Sequence, residues 1–237
     1  MRIAIIGYGK MGKEIEKIAL ERGHSISARL SSSNAGFDTA ALADTDVAIE
    51  FTKPESAVQN IKVCSESKVP VVVGTTGWYD EFDSVSAHIE QNNSALFYAT
   101  NFSMGVNIFW KVNQYLAKIM DAYPAYNVDM EEIHHTQKLD APSGTAITTA
   151  EKIIAKIDRK KNWKLDEENQ PEELKIIAKR EPDVPGTHEV FYRSEIDSIS
   201  LKHEAHSRKG FALGSVLAAE FLNNKTGLYS MNDLLKF

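Results

Sequence analysis

The chain has 237 residues, which at about 150 residues per domain is enough for one large domain or two small ones. It has 27 Lys and Arg residues against 33 Asp and Glu residues, a net charge of −6, which argues against a general binder of nucleic acid or anionic membranes. No apolar run approaches the roughly 20 residues that span a bilayer. The single cysteine, Cys64, excludes an internal disulfide and is typical of a reducing compartment, so we expect a cytoplasmic protein.

The first hundred residues alternate apolar runs with amphipathic stretches. Residues 2–7 form a continuous apolar run, typical of a parallel strand buried on both faces. Residues 11–22 then place apolar side chains at helical spacing, and Gly23 follows as a helix-terminating residue. Further strands are predicted at residues 24–30, 47–51, 69–73 and 95–100, and further helices at 54–67 and 79–92. This alternation predicts a doubly wound parallel sheet, the Rossmann arrangement.

The pattern changes after about residue 102. Residues 127–135 alternate in the manner of an antiparallel strand, and the charged stretch 160–173 is expected to form an exposed loop. Helices are predicted at residues 106–120, 143–159 and 211–223, and strands at 174–179, 187–193 and 198–206. We therefore expect an α/β protein in which residues 1–102 and 211–237 form the Rossmann domain and residues 103–210 form an inserted α+β domain.

A glycine-rich loop follows the first predicted strand and opens the first predicted helix. Its sequence is Gly7-Tyr8-Gly9-Lys10-Met11-Gly12, the G-x-G-x-x-G pattern. In that pattern the first glycine permits a tight turn, the second lets the backbone approach a pyrophosphate, and the third lets the helix pack on the strand. The free N–H groups of the helix N-terminus favour the anion. The loop predicts dinucleotide binding, and a purely structural turn is the alternative.

The end of the second predicted strand bears on the choice of cofactor. NAD enzymes usually carry an acidic residue about 20 residues after the glycines, which binds the adenine-side ribose. Here the strand ends in Arg29-Leu30-Ser31-Ser32-Ser33, with no carboxylate. Arg29 and Ser31 with the following serines would suit a 2′-phosphate, which favours NADPH over NADH. A solvated loop that ignores the ribose is the alternative.

Two further loops follow predicted strands, where ligands bind in open α/β sheets. One contains Gly74-Thr75-Thr76-Gly77 and the other Ala99-Thr100-Asn101-Phe102. Glycines and hydroxyls at these positions suit close approach to a nicotinamide ribose, and they would also suit plain turns.

The densest group of chemically active residues lies between residues 131 and 146. His134, His135 and Lys138 stand at the end of a predicted strand, and Pro-Ser-Gly-Thr-Ala then begins a helix. Ser143 is a good N-cap, and a helix start with small residues favours an anion. An anionic substrate held there, beside histidine and lysine, would make a centre for acid catalysis.

Structural interpretations of this group remain open. Adjacent strand residues point to opposite faces, so His134 and His135 share a site only if the strand ends there. Ser143 could simply cap its helix. A metal site is not expected, because the segment offers no spaced third ligand and Lys138 would repel a cation.

Residues 132–146 closely resemble the signature of bacterial dihydrodipicolinate reductases, also called 4-hydroxy-tetrahydrodipicolinate reductases. They read Glu-Ile-His-His-Thr-Gln-Lys-Leu-Asp-Ala-Pro-Ser-Gly-Thr-Ala. The resemblance covers nearly the whole chain and includes the glycine loop, residues 51–54, 74–77, 101–107 and 203–208, with Phe211 and Ala212.

The resemblance implies an NADH- or NADPH-dependent reduction of 4-hydroxy-tetrahydrodipicolinate to tetrahydrodipicolinate, for diaminopimelate and lysine synthesis. It makes His134 the proton donor and Lys138 the second catalytic cation. Substrate contacts would come from His135, Ser143, Gly144 and Thr145, and cofactor contacts from residues 7–12, 74–76 and 99–102. It also implies a cytoplasmic homotetramer assembled through the sheets of the substrate domain.

The sequence departs from the family pattern in places. A common Gly-Glu-His is Gly186-Thr187-His188 here, so no role is transferred to it. His203 and His206 are interpreted as structural residues and not as metal ligands. Two other functions stay open: a Rossmann reductase that acts on another imine or carbonyl, as an aspartate dehydrogenase does, and a nicotinamide-binding regulator without turnover.

Overall fold

The computed structural model describes residues 1–31, 37–166, 170–207 and 209–237. The chain divides into two compact units. The first comprises Met1–Met104 with Lys209–Phe237, and the second comprises Gly105–Arg208. Elements are numbered along the whole chain.

The first unit is built on a parallel sheet of six strands in the order β11-β5-β4-β3-β1-β2. The strands are β1 (Arg2–Ile6), β2 (Ser25–Leu30), β3 (Val47–Glu50), β4 (Val71–Val73), β5 (Ala95–Tyr98) and β11 (Gly227–Tyr229). Its helices are α1 (Lys10–Glu21), α2 (Pro54–Glu66), α3 (Phe82–Gln91), α6 (Lys209–Leu222) and α7 (Met231–Leu235). The predicted doubly wound sheet is confirmed.

Both faces of this sheet are buried, which explains the unbroken apolar run of β1. Ile3 and Ile5 belong to the apolar core on one face, and Ala4 and Ile6 belong to the core on the other. A strand covered by helices on both sides has no solvent face to carry polar residues.

The strand order places β1 between β2 and β3. The chain therefore leaves β1 toward one edge of the sheet and later resumes on the other side of β1, which makes this point the topological switch. Ligands of open α/β sheets bind at such a point, beyond the carboxyl ends of the strands. The loops that begin at Gly7 and Phe51 lie there.

The second unit contains a five-stranded mixed sheet in the order β10-β9-β6-β8-β7. The strands are β6 (Asn127–His134), β7 (Asn162–Leu165), β8 (Glu173–Arg180), β9 (Gly186–Arg193) and β10 (Ser198–Ala205), and the helices are α4 (Met104–Met120) and α5 (Gly144–Ile154). Strand β6 is antiparallel to β9 but parallel to β8. The expectation of an antiparallel strand therefore holds for only one of its two neighbours, because alternation reports burial on one face and not strand direction.

Two predictions for this unit are wrong. Helix α5 ends at Ile154 and not at residue 159. The charged stretch after it is not a simple exposed loop, because it includes β7 and begins with Lys160, which is 2% exposed. The Lys160 ammonium donates hydrogen bonds to the Asn127 side chain and to the carbonyls of Pro171 and Glu173. These acceptors satisfy the charged group, so its burial is tolerated.

The C-terminal region holds two elements that sequence analysis missed. Strand β11 extends the parallel sheet beside β5, and the short helix α7 begins at a capping box formed by Ser230 and Asp233. Within the described part of the chain, the helices are all too short or too polar to cross a membrane.

One face of the mixed sheet changes character along β6. Val128 and Met130 are fully buried and lie beside Tyr192 and Val190 of β9. Alternation carries the same face on to Glu132 and His134. An apolar core thus gives way to a buried polar group at the carboxyl end of β6.

Candidate active site

The polar group at the end of β6 centres on Glu132. Glu132 is fully buried and His134 is 8% exposed. His188 of β9 is paired with Glu132 across the ladder and is also buried. The two histidine rings meet edge to face, with their centroids 5.1 Å apart.

The Glu132 carboxylate accepts hydrogen bonds from two donors and lies close to two histidines. The backbone N–H of Ser143 donates to it at 3.0 Å, and the Arg180 guanidinium of β8 donates at 3.2 Å. Nδ1 of His134 lies 3.3 Å from Oε2 of the same carboxylate, and Nε2 of His188 lies 3.7 Å from it. One buried carboxylate therefore joins β6, β8, β9 and the start of α5.

These contacts fix the charges of the group. Burial alone would raise the pKa of Glu132, but His134 and the Ser143 N–H outweigh it and lower that pKa to about 2. Burial, helped by the nearby His134, lowers the pKa of His188 to about 3. At neutral pH the site therefore holds an ionised glutamate and an uncharged His188.

Lys138 lies on the loop that follows β6, and a second cation, Arg180, anchors that loop. The Lys138 ammonium binds the Asp140 carboxylate at 2.7 Å, which lowers the pKa of Asp140. Arg180 donates to the carbonyl of Asp140 at 2.6 Å while it also binds Glu132. The guanidinium thus ties the position of the lysine loop to the buried carboxylate.

Ser143 caps α5, as predicted, and also makes contacts that the prediction lacked. Its hydroxyl accepts from the Ala146 N–H at 3.2 Å and lies 3.1 Å from Nε2 of His188. The next residue, Gly144, is exposed, and a Cβ built there would meet no atom within 4 Å. The helix start is therefore rigidly held on one side and open on the other. Thr145 follows it in the first turn and is partly buried.

His135 comes directly after the last residue of β6 and is partly exposed, in contrast to the buried His134. Its carbonyl accepts from the Lys138 N–H at 3.0 Å, which closes the turn that carries the lysine.

A third potential metal ligand comes from outside the segment 131–146. Glu132, His134 and His188 each place one ligand atom within 4.8 Å of the others, since the strand order brings in His188. The group is nevertheless a poor cation site. Arg180 and the Ser143 N–H already occupy the carboxylate, and the guanidinium would repel a metal ion.

The glycine loop of the first unit has the shape that its pattern predicts. Gly7 adopts φ +98°, and a Cβ there would lie 2.0 Å from the Phe51 carbonyl oxygen. A Cβ on Gly12 would lie 2.4 Å from the Gly7 carbonyl oxygen, so α1 packs directly on the turn. Gly9 has nothing within 4 Å of its Cβ position, which leaves the N-terminus of α1 open to a ligand.

The side chains around this loop differ in exposure. Lys10 is exposed, Met11 packs against the apolar core, and the Tyr8 hydroxyl donates to Glu16 of α1. Arg29 also binds Glu16, with Nε 3.0 Å from a carboxylate oxygen, and its guanidinium lies 5.9 Å from the Tyr8 ring centre. Arg29 and Tyr8 together lower the pKa of Glu16 to about 2. Arg29 thus already has a carboxylate partner that the sequence analysis did not foresee.

Ser31 is partly buried at the end of the described segment. The other serines of the predicted phosphate contact, at positions 32 and 33, lie outside the described residues.

The loops after β4 and β5 hold the remaining predicted cofactor residues. Thr75 is buried, and its hydroxyl accepts from the Thr52 N–H at 2.8 Å, so it links two loops of the protein. A Cβ on Gly74 would lie 2.2 Å from the Phe51 ring. Thr76 is exposed.

In the loop after β5, Thr100 is exposed and Ala99 is buried. Asn101 accepts from the Ser103 N–H, and the Phe102 ring packs 5.7 Å from that of Phe51. The Phe102 side chain is therefore part of the core.

Sequence reasoning missed four residues of the polar group: Glu132, Asp140, Arg180 and His188. A signal existed for Glu132, because period-two alternation puts it on the face of His134. No local signal pointed to Arg180. His188 stands in the Gly186-Thr187-His188 segment, but only strand pairing shows that β8 and β9 lie beside β6.

Comparison with known proteins decides the family. The model for the dihydrodipicolinate reductase N-terminus matches residues 1–102, and the model for its C-terminus matches residues 105–235. The chain belongs to the dihydrodipicolinate reductase family. The resemblance in residues 132–146 is thus confirmed, and the chain is an NAD(P)H-dependent oxidoreductase.

Individual members of the dihydrodipicolinate reductase family align along the whole chain. The 4-hydroxy-tetrahydrodipicolinate reductase of Christiangramia forsetii is 48% identical over 235 residues, which are 99% of this chain and 98% of that protein. The 4-hydroxy-tetrahydrodipicolinate reductase of Archaeoglobus fulgidus is 36% identical, and the alignment covers the full length of both proteins. Among solved structures, a dipicolinate-bound dihydrodipicolinate reductase from Paenisporosarcina sp. TG-14 superposes with a TM-score of 0.78 at 25% identity, over 97% of each chain.

Proposed function

We propose that this protein reduces 4-hydroxy-tetrahydrodipicolinate to tetrahydrodipicolinate with NADPH or NADH, in the diaminopimelate route of lysine synthesis. The observation that carries the proposal is the buried His134, set in a chain of this family beside a helix start that is open at Gly144. The Paenisporosarcina reductase is bound to dipicolinate, a planar dicarboxylate. A substrate of that charge suits the N-terminus of α5.

In the proposed reaction each side chain has one task. The 4-hydroxyl group of the substrate leaves as water, His134 donates the proton that the ring takes up with the hydride, and Lys138 stabilises the negative charge that develops before that proton arrives. Ser143, Gly144 and Thr145 hold a substrate carboxylate at the start of α5, and His135 contacts the substrate. A bound reduced nicotinamide supplies the hydride.

The first unit suits a dinucleotide cofactor. The open space at Gly9 and the free N-terminus of α1 would accept the pyrophosphate, which would lie against Gly7, Tyr8, Lys10, Met11 and Gly12. We place further cofactor contacts at Gly74, Thr75 and Thr76 and at Ala99, Thr100, Asn101 and Phe102. Since the hydroxyl of Thr75 and the ring of Phe102 already pack within the protein, their backbones would make these contacts.

The preference between the two cofactors rests on Arg29 and Ser31. To bind a 2′-phosphate, the Arg29 guanidinium would have to break its ion pair with Glu16 or bind both groups at once. Glu16 therefore competes with the phosphate and weakens the NADPH preference that Arg29 promotes.

The domain organisation and assembly complete the proposal. We assign cofactor binding to residues 1–102 with 211–237, and substrate binding and tetramerisation to residues 103–210. The protein would act as a cytoplasmic homotetramer on a small dicarboxylate, without nucleic acid or membrane.

A coupled assay tests the reaction. The purified chain is mixed with the synthase that condenses pyruvate and aspartate semialdehyde, and the loss of NADH or NADPH is followed in parallel reactions. Turnover that needs every component, and that is lost in Lys138→Ala, supports the proposal. Cofactor binding without turnover would contradict it and favour a regulator. Turnover only on another imine or carbonyl compound would favour a different reductase.

A further inference from the structure

The Glu132 carboxylate is fixed by Arg180 and the Ser143 N–H and also lies next to the His134 ring. Both carboxylate oxygens accept from the Ser143 N–H. Oε1 also accepts from Arg180, and Oε2 lies 3.3 Å from Nδ1 of His134. The carboxylate is therefore held on one side and presents its other side to the histidine.

His134 has two distinct sides as a result. Its Nδ1 faces the carboxylate, and its Nε2 lies next to Gly186 of β9. A Cβ on Gly186 would lie 3.1 Å from Nε2, so a side chain at this position would crowd that nitrogen. The absence of a side chain at Gly186 therefore leaves room beside the nitrogen that does not face the carboxylate.

The charges around the pair support this division. The Glu132 carboxyl, whose pKa His134 and Ser143 lower to about 2, lies 3.3 Å from Nδ1 of His134, while burial lowers the pKa of the neighbouring His188 to about 3. An ionised carboxylate at one ring nitrogen favours a proton there and leaves the other nitrogen to exchange protons with a ligand. The remaining charged or titratable groups around the pair are Arg180 of β8, His188 of β9, His203 of β10, and Lys138 and Asp140 of the loop.

We propose that Glu132 is a positioning residue for the reduction. Its carboxylate, fixed by Arg180 and by the Ser143 N–H, holds Nδ1 of His134 and directs the reactive proton to Nε2. This inference rests on the proposed function, in which His134 is the proton donor.

The substitution Glu132→Gln separates this role from simple packing. The amide has the same size but only one acceptor oxygen, and the donors Arg180 and Ser143 N–H require that oxygen on their side. The NH₂ group then faces Nδ1 of His134, which must become an acceptor. We expect the neutral ring to change from the Nδ1–H to the Nε2–H tautomer and kcat to fall roughly 10- to 100-fold, the usual effect of losing such a carboxylate.

The pH profile gives a second readout. Glu132→Gln removes a negative charge beside the proposed proton donor, so we expect the pH profile of kcat/KM to change in this variant. Glu131→Gln is the matched control, because Glu131 is the neighbouring glutamate on β6 and pairs with Lys179 on the other side of the strand. It should change neither the tautomer nor the pH profile.

The experiment is ¹⁵N NMR of the histidine rings in the full chain, combined with the pH profile of the coupled assay. Signals of His134 are identified by their absence in His134→Gln. The proposal predicts the Nδ1–H tautomer in the wild type, its loss in Glu132→Gln, and partial recovery of kcat in Glu132→Asp, which keeps the charge. If Glu132→Gln does not fold, the wild-type tautomer still decides.

A wild-type Nε2–H tautomer, or a folded Glu132→Gln with an unchanged tautomer and pH profile, would overturn the proposal. If the wild type has the Nδ1–H tautomer but shows no turnover in the coupled assay, the role of Glu132 in orienting His134 is supported and the proposed reaction is contradicted.

Discussion

Two glutamates, one in each unit, are fully buried but have pKa values shifted in opposite directions. Glu50 ends β3 in the parallel sheet, and its donors are the neutral hydroxyl of Thr52 and the amide of Asn60. Glu132 lies near the end of β6, and its donors include the Arg180 guanidinium. Burial raises the pKa of Glu50 above its ordinary value, whereas His134 and the Ser143 N–H lower that of Glu132 to about 2.

The difference shows that burial alone does not decide the direction of a carboxyl pKa shift. Desolvation raises the pKa of both groups, and the neutral donors of Glu50 offset it only in part. His134 and Ser143 reverse it at Glu132. Glu132 is also the residue that we propose to orient His134.

The largest effect on activity is expected for substitutions of His134 and Lys138, the proposed proton donor and second catalytic cation. His134→Ala and Lys138→Ala should each lower kcat by roughly 10²–10⁴, the usual contribution of one acid–base group. Lys179→Ala is the control, since Lys179 also pairs with a carboxylate, that of Glu131. Steady-state kinetics and thermal unfolding would be measured together. Folded variants with near-normal kcat would remove these residues from catalysis.

The stability of Glu132→Gln should depend on pH. Because the folded pKa of Glu132 is lowered from 4.5 to about 2, its stabilisation is fully present above about pH 4.5 and is lost as the pH falls toward 2. The variant should lose about 2 kcal/mol of unfolding free energy at pH 7 and progressively less below pH 4.5. Urea titrations from pH 8 downward would measure this. A pH-independent loss would point to packing and not to charge.

A third glutamate extends the comparison to the surface. Glu16, whose side chain is partly buried, has a pKa of about 2 because Arg29 and Tyr8 donate to it. Arg29→Ala should lower the ratio of kcat/KM for NADPH over NADH roughly tenfold, the loss of about one charged hydrogen bond. Glu16→Gln should raise that ratio by freeing Arg29, while Glu21→Gln at the other end of α1 should not change it. An unchanged ratio in both test variants would exclude Arg29 from cofactor selection.

The smallest effect is expected for Glu50→Gln, and its sign is opposite to that of Glu132→Gln. A raised folded pKa means that the stabilisation is fully present below about pH 4.5 and is lost as the pH rises through the folded pKa. The variant should match the wild type near pH 4 and exceed its unfolding free energy by up to about 1 kcal/mol at pH 7. If the unfolding free energy of Glu50→Gln minus that of the wild type is lower at pH 7 than at pH 4, the raised pKa of Glu50 is contradicted.

Much of the fold could be predicted from local sequence. The apolar run of β1 and the glycine loop after it indicate a parallel sheet and its ligand end, because both depend on neighbouring residues. The cap at Ser143 was visible for the same reason. The burial of Lys160 could not be predicted, because the three acceptors of its ammonium group come from Asn127, Pro171 and Glu173, which are not its neighbours in the sequence.

The candidate site was predictable only in part. His134 and Lys138 stand in one recognisable segment, and Glu132 could have been added by alternation along β6. Arg180 and His188 required the strand order, and the pairing of Arg29 with Glu16 required the packing of α1 beside β2. Partners from separate strands complete this polar group, and no periodicity in the sequence reports them.

The most direct test of the central claim is a ¹³C NMR titration of the glutamate side-chain carboxyl carbons in the folded wild type. Glu50→Gln and Glu132→Gln identify the two signals. We predict that the Glu132 signal stays at the ionised position from pH 8 to pH 5, while the Glu50 signal moves toward the protonated position with a midpoint above 4.5. Two signals that titrate together, or a Glu132 that protonates first, would contradict the account.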